Sequence, residues 1–251
     1  MPADAKPVNI GIVTYNRLEM TKICVEHIFK HTKYPFILTI VDNGSTDGTQ
    51  EWLVNNSFAI SQVIQLEKNI GVAKASNVAW RSGPDDYYIK LDNDMVVRRD
   101  GWLGELVELC DKVPQLGAVA YNVEGTQYNI RQACGMKFQL KSQGNLGGCS
   151  MMVPKKTLDR LGYWCEEYGL YGEEDADYGY RITKAGLWNV YHKDMGVLVH
   201  LPHPDFPEIK EDPNEYRDFK NKQRKDNLEA ASAYHKNILK YSDNGQLKVG
   251  R

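Results

Sequence analysis

Tyr87-Tyr88-Ile89-Lys90-Leu91-Asp92-Asn93-Asp94 is a short run of strand formers ending on two acids one residue apart, with the turn Gly83-Pro84-Asp85-Asp86 in front of it. Aromatic and β-branched residues bounded by turn residues predict a strand. Its C-terminal end puts both carboxylates at the mouth of a sheet, which in open α/β sheets is where ligands bind. Two neighbouring anions repel unless a cation or a hydrogen-bonding ligand sits between them. Oxygen ligands favour Mg²⁺ or Mn²⁺, and such metals keep positions open for substrate phosphates. Taken alone, the triplet reads first as a turn, because turns are rich in Asp and Asn.

The flanking sequence decides between these readings. Val8-Asn9-Ile10-Gly11-Ile12-Val13-Thr14 predicts a buried strand, followed by the polar turn Tyr15-Asn16-Arg17. From Leu18 to Lys30 apolar residues recur near helical spacing at Met20, Ile23, Cys24 and Ile28, with His27 on the same face. Phe36 to Val41 is a second strand, again ending on an acid, Asp42. The turn Asn43 to Thr49 opens a helix through Glu51, Trp52 and Leu53. Gln62 to Leu66 is a third strand, and Asn69-Ile70-Gly71 leads into a helix from Val72 to Ser82. Strand and helix alternate through short loops, which predicts a mainly parallel sheet with right-handed crossovers. Three polar strand ends, at 14–16, 42–44 and 92–94, then converge on one rim. That is a nucleotide site with a metal beside it.

Composition sets bounds on the remaining classes. The 251 residues suit one α/β domain with a decorated C-terminal half, and a formal net charge of −2 offers no basic field for nucleic acid. The sequence holds no apolar run long enough to span a membrane, and Met1 to Lys6 has no signal-peptide core. Cys24, Cys110, Cys134, Cys149 and Cys165 are scattered and lack C-x-x-C spacing. Reduced thiols in a cytoplasmic protein are expected, without a zinc site.

The second half has a different texture. Trp102 to Val113 predicts an amphipathic helix stopped by Pro114, and Leu116 to Ala120 another buried strand. Val123 to Leu146 is polar and strand-like, and Gly147 to Val153 reads as a strand that begins with glycines. Pro154 at a helix start and Gly162 just past its end follow the usual asymmetry. Asp175 to Ala185 predicts a helix closed by Gly186. Pro213 to Tyr241 is a long charged helix whose apolar set is Phe219, Leu228, Ala231, Ile238 and Leu239, expected to pack by one narrow stripe. Its basic cluster Lys220, Lys222, Arg224 and Lys225 is flanked by acids, which weakens a reading as a membrane-surface helix.

Val13-Thr14-Tyr15-Asn16-Arg17, Val41-Asp42-Asn43-Gly44-Ser45-Thr46-Asp47-Gly48-Thr49, Asn69-Ile70-Gly71 with Asn77, and Leu91-Asp92-Asn93-Asp94 occur in that order. Gly147 to Val153, Gly172-Glu173-Glu174-Asp175-Ala176-Asp177 and His200 follow. This ordered set, covering about residues 8 to 201, resembles a GT-A glycosyltransferase of the family 2 type. The resemblance implies an α/β fold with a mainly parallel central sheet, a small acceptor-side sub-sheet and a C-terminal helix. One domain over 1–210 would comprise a nucleotide-sugar half (8–122) and an acceptor half (123–210), with 211–251 as a charged helical extension. The implied activity is metal-dependent, inverting transfer of a sugar from a nucleoside diphosphate sugar to a hydroxyl on a glycan or lipid-linked acceptor. The setting would be glycan or polysaccharide biosynthesis in the cytoplasm, with peripheral contact at the inner face of a membrane left open.

Site residues follow from the same resemblance. Asp42 is expected to contact the base or ribose, and also suits an Asx-turn cap for Asn43-Gly44. Thr14, Tyr15, Asn16, Arg17, Asn43, Gly71, Lys74, Asn77 and Asn93 join it on the nucleotide-sugar side, with Arg17 and Lys74 also readable as solvated helix residues. Asp94 is the expected ligand of Mn²⁺ or Mg²⁺, Asp92 reaches ribose or the metal, and His200 supplies a further metal ligand. Matching Glu-Asp-x-Asp selects Asp175 as the base, with Glu174 as rival because Glu173 blurs the register. Gly148, Trp164 and Tyr171 fall on the acceptor side, the aromatics suiting sugar stacking or core packing alike. A sugar nucleotidyltransferase would show a glycine-rich loop after the first strand, which Val13 to Arg17 lacks. A binding module that has lost catalysis is disfavoured by intact Asp94 and Asp175. The donor sugar, nucleobase and acceptor are not legible.

Overall fold

A computed structural model gives the structure of residues 5–84, 86–141, 146–210 and 212–241, with side chains as far as residue 229. The expectations that touch residues 1–4, Asp85, residues 142–145, Ala231, Ile238 and Leu239 lie outside the described residues or side chains. The N-terminal half alternates as its hydrophobic pattern predicts. It runs β1 (Val8–Thr14), α1 (Leu18–His31), β2 (Phe36–Asp42), α2 (Thr49–Asn55), β3 (Gln62–Gln65), α3 (Val72–Arg81) and β4 (Tyr87–Asp92). These strands pair in parallel in the order β3-β2-β1-β4. The chain therefore reverses its direction of travel across the sheet between β1 and β4. A topological switch of this kind opens a crevice at the strand ends. Register levels the rim, because Thr14 lies opposite Asp42 and Val13 opposite Asp92.

Beyond β4 come β5 (Met95–Val97), α4 (Trp102–Lys112), β6 (Leu116–Asn122), β7 (Ile130–Ala133), β8 (Met136–Leu140) and β9 (Ser150–Pro154). They are followed by α5 (Lys155–Leu161), a 3₁₀ turn at Glu166–Tyr168, α6 (Glu174–Lys184), β10 (Trp188–Met195), β11 (Leu198–His200) and α7 (Asn214–Tyr241). The large sheet continues β4-β9-β6-β10-β8-β7, in which β9 and β8 run against the rest. The strand-like stretch after Val123 contains the β7–β8 hairpin, turned at Cys134 (φ 50°) and Gly135 (φ 75°). Positive φ at both central residues matches the right-handed twist of the flanking strands.

Strand alternation sorts the core into two layers. Ile89, Leu91, Val119, Tyr121 and Met152 face α1 and α4. Tyr88, Ala118, Ala120, Met151 and Val153 face α3, α5 and α6. Lys90 shares the face of Tyr88 and is buried. A small antiparallel sheet pairs β11 with β5 and sets His200 opposite Met95. The packing stripe of α7 differs from the apolar one expected. Leu228 is 56% exposed and Phe219, at 39%, reaches only the edge of the cavity, while the other side chains that meet the domain are Tyr216, Lys220, Arg224 and Asn227. A sparse apolar set in a charged helix leaves polar residues free to make the contact.

Candidate active site

The rim is built from turns whose backbone is unusual for the residues present. Asn16 (φ 58°) and Arg17 (φ 64°) are both left-handed, as is Glu173 (φ 73°) at the start of α6. Non-glycine residues rarely adopt this region, and such strain gathers at functional sites. The Asn16 amide N–H donates to Ser45 Oγ at 2.7 Å, and its side-chain oxygen accepts from Thr46 N at 2.9 Å, tying the β1 loop to the β2 loop. Arg17 is thereby held pointing at the end of β4.

Arg17 joins two acids. Its Nη1 donates to Asp94 Oδ2 at 2.7 Å, and its other nitrogens donate to Asp212 just before α7. The guanidinium also lies 5.4 Å from the centre of the Tyr216 ring. Asp94 is 5% exposed, and its Oδ1 has no hydrogen-bond partner among the described residues. His200 Nε2 lies 3.4 Å from that oxygen. Burial raises the Asp94 pKa, with His200 and Arg17 pulling against it and Asp92 adding to it. An orphaned buried carboxylate oxygen beside an imidazole nitrogen fits a divalent cation, since two ligands each about 2.1 Å from one ion sit roughly 3 Å apart when adjacent.

Asp92 is engaged differently. Its Oδ1 accepts from Lys90 Nζ, which also donates to the Gly148 carbonyl at 2.9 Å. Burial opposes the Lys90 charge, but Asp92, Glu174 and Asp175 outweigh it and raise its pKa. Lys90 thus stays charged and links the acid pair of β4 to the acids opening α6. Asp175 Oδ2 accepts from Gly148 N at 3.0 Å. A Cβ on Gly148 would lie 3.0 Å from Asp175 Cβ, so glycine here lets this loop and the start of α6 approach without crowding.

Glu174 is 6% exposed, and burial followed by the Asp175 charge pushes its pKa from 4.5 to about 7. The native state then holds this proton more tightly than the unfolded chain does, so stability falls as pH rises from about 4.5 through about 7. Glu174→Gln removes that loss and is expected to gain about 3 kcal/mol on the wild type between pH of about 4.5 and about 8. Urea unfolding of both proteins at the two pH values checks this. An equal stability difference at both rejects the buried-acid reading.

Helix α7 closes the site. Tyr216, Phe219, Lys220 and Arg224 line the same cavity as Tyr15, Arg17, Asn43, Asp92, Asn93, Asp94, Gly148, Tyr171, Glu174, Asp175 and His200. Its volume is about 230 Å³. That is below the roughly 300–1,000 Å³ of enclosed ligand pockets, and this cavity is open to solvent on one side.

Other expected residues lie behind this wall. Thr14 Oγ1 is buried between Thr21 Oγ1 (3.0 Å) and Asn93 Nδ2 (3.2 Å). Asp42 is fully buried, its Oδ2 accepting from Gly44 N, Ser45 N and Gln50 Nε2, so it serves as the turn cap in this arrangement. Its Oδ1 is left without a partner among the described residues. Gly71 (φ 95°) opens α3, where a Cβ would fall 2.0 Å from the Gly169 carbonyl oxygen. Lys74 is exposed on α3 and does not line the cavity. Asn77 clamps the backbone of Trp164 through both amide atoms and also donates to Glu166. The expectation for Trp164 is corrected toward its core alternative. It is 2% exposed, with ring centres 5.2 Å from Trp80 and 4.8 Å from Tyr178.

Lys90, Asp212, Tyr216, Lys220 and Arg224 were not singled out by motif. The signal for Lys90 was a lysine inside an otherwise buried strand, which demands a partner. A second group of ligand-type residues, Glu105, His192 and Asp194, has its ligand atoms within 4.8 Å of one another. Arg99 already engages both Glu105 oxygens at 2.7 Å and Asp194 at 3.2 Å, so this group is an ion-pair network.

A crevice at the β1–β4 switch, an acid pair at its lip and a second acid group across it define the GT-A class of nucleotide-sugar folds. The chain matches the glycosyl transferase family 2 model over residues 9–158 and belongs to that family. It is 24% identical over 257 aligned positions to a chondroitin synthase of Pasteurella multocida, covering 79% of this chain and 26% of that protein. It is 26% identical over 214 positions to an N-acetylglucosaminyl-diphospho-decaprenol L-rhamnosyltransferase of Mycobacterium tuberculosis, covering 68% and 69%. This chain thus spans about a quarter of the chondroitin synthase and of a similar hyaluronan synthase. The fold is shared with a mannosyltransferase from Pyrobaculum calidifontis solved with GDP-Man and Mn²⁺, at TM-score 0.58 and 20% identity, covering 81% of this chain and 61% of that one. Among the described residues no helix is long and apolar enough to cross a membrane.

Proposed function

We propose that this chain transfers a sugar from a nucleoside diphosphate sugar to an acceptor hydroxyl, with inversion and with a divalent cation. The observation that carries this reading is the orphaned Asp94 Oδ1 beside His200 Nε2, at the lip of a nucleotide fold and opposite Asp175. Asp94 and His200 would hold Mn²⁺ or Mg²⁺, which supplies charge neutralisation for the diphosphate leaving group. Lys90 keeps Asp92 and the Gly148 turn in register from below. Asp175 takes the proton of the acceptor hydroxyl. It is half-buried at the cavity wall, and the two N–H groups of Gly148 and Ala176 aim its oxygens. Glu174 also lines the cavity but is the more buried of the two acids, and its partial protonation near neutral pH limits repulsion within the pair. In this reading residues 8–122 bind the donor and 123–210 receive the acceptor. That acceptor is a glycan or a lipid-linked saccharide, met in the cytoplasm or at the inner membrane face.

Thermal melts with UDP, GDP, dTDP and CDP, each with Mn²⁺ and then with EDTA, test the reading. A nucleotide at a hundred times its Kd is expected to raise Tm on the order of 5–10 °C, with metal only. No shift from any of the four rejects donor binding.

A further inference from the structure

We propose that Lys220 and Arg224, one helical turn apart on α7, bind the diphosphate of the donor. This rests on the donor reading above and extends it to a helix beyond the family's matched segment at 9–158.

Asp92, Asp94, Glu173, Glu174 and Asp175 line the cavity, against the permanent cations Arg17, Lys90, Lys220 and Arg224. A nucleoside diphosphate sugar adds about two negative charges, and the released diphosphate about three. One divalent cation offsets part of that in a site already rich in carboxylates. Arg17 and Lys90 are committed, the first to Asp94 and Asp212 and the second to Asp92 and the Gly148 carbonyl. Turning either toward a phosphate would strip a buried carboxylate of its partner, which is strongly unfavourable.

Lys220 and Arg224 are held less tightly. Lys220 Nζ is 3.3 Å from Asp212 Oδ2, with 21% of its side chain exposed. Arg224 Nε is 3.8 Å from Glu173 Oε1, with 59% of its side chain exposed. The Arg224 pair is long and wet and therefore weak, and Asp212 keeps Arg17 when Lys220 leaves it, so turning either cation to a phosphate leaves no buried carboxylate without a partner. Spacing of four residues puts both cations on one helix face. Lys220 Nζ sits 5.3 Å and 5.0 Å from the ring centres of Tyr171 and Tyr216, which hold it over the cavity by cation–π attraction. One turn further, Asn227 Nδ2 donates to the carbonyls of Tyr168, Tyr171 and Gly172, fixing α7 on the loop that leads to α6. Gly172 forms the seat, because a Cβ there would come within 2.5 Å of Arg224 Cγ. Helix α7 is thus a wall that carries two adjustable cations.

The test uses the full chain. UDP, GDP, dTDP and CDP are titrated with Mn²⁺ by calorimetry, and the one that binds is compared with its own nucleoside by ligand-observed NMR. In Lys220→Ala/Arg224→Ala the diphosphate is expected to bind roughly 100-fold more weakly and the nucleoside within about threefold of wild type, as for two lost charge-assisted hydrogen bonds. Lys220→Arg/Arg224→Lys, which keeps both charges, is expected to retain most of the affinity. Equal losses for diphosphate and nucleoside, or undiminished diphosphate affinity in the alanine variant, overturn the inference alone. A wild-type chain that binds none of the four diphosphates overturns the donor reading and this inference with it.

Discussion

Asp175→Asn is expected to lower the transfer rate by roughly 10²- to 10⁴-fold, the span ascribed to a positioned general base. Nucleotide affinity should stay near that of wild type, because the change lies on α6 and leaves Asp94, His200 and Arg17 intact. Asn keeps the volume and can still accept from Gly148 N, so the loop geometry at 3.0 Å is preserved while the proton acceptor is lost. The effect belongs in kcat rather than in donor KM, since the lost interaction operates only as the acceptor hydroxyl gives up its proton. Turnover is measured with the sugar-nucleotide series that the nucleotide panel selects, and full activity in the variant moves the base elsewhere. Glu174→Gln separates the two carboxylates, because it alters stability with pH while leaving Asp175 in reach of the cavity.

Asp94→Asn is the second large change. Loss of one first ligand should weaken metal-dependent nucleotide binding by at least the 10- to 100-fold, roughly, that follows removal of mere supporting partners. The side chain sits in a buried pair with Arg17, so an alanine there would leave a guanidinium poorly compensated and blur binding with stability. Asn keeps an oxygen for Arg17, which also retains Asp212. The readout is the difference between melts with Mn²⁺ and with EDTA. A variant whose nucleotide shift still depends on Mn²⁺ sinks the assignment of Asp94.

The alternation of apolar runs and turn residues from Val8 to Asp92 made the parallel half of the sheet legible, because strand burial and crossover length are local properties. Boundaries agreed to within a residue or two, as with α3, expected to end at Ser82 and ending at Arg81. Strand β10 was not foreseen, because it depends on pairing with distant strands that no local pattern reports. At the site, sequence order marked acids and turns but not which atoms would meet. Asp92 is paired with Lys90 from its own strand, Trp164 is core because Trp80 and Tyr178 surround it, and Asp42 spends one oxygen on its own turn. The basic cluster of α7 read as solvated because its acidic neighbours in sequence screened it. In the fold, two of its members face the cavity instead.

Helix α7 meets the domain through polar and aromatic side chains, while the two apolar layers of the sheet close without it. Its residues are therefore released from the volume constraints that fix Ile89 or Met152, where one methylene is felt throughout the packing. If Lys220 and Arg224 hold the donor diphosphate as proposed, substitutions along α7 are expected to change how firmly a donor is held at small cost in folding free energy, with the floor of the site left as it stands.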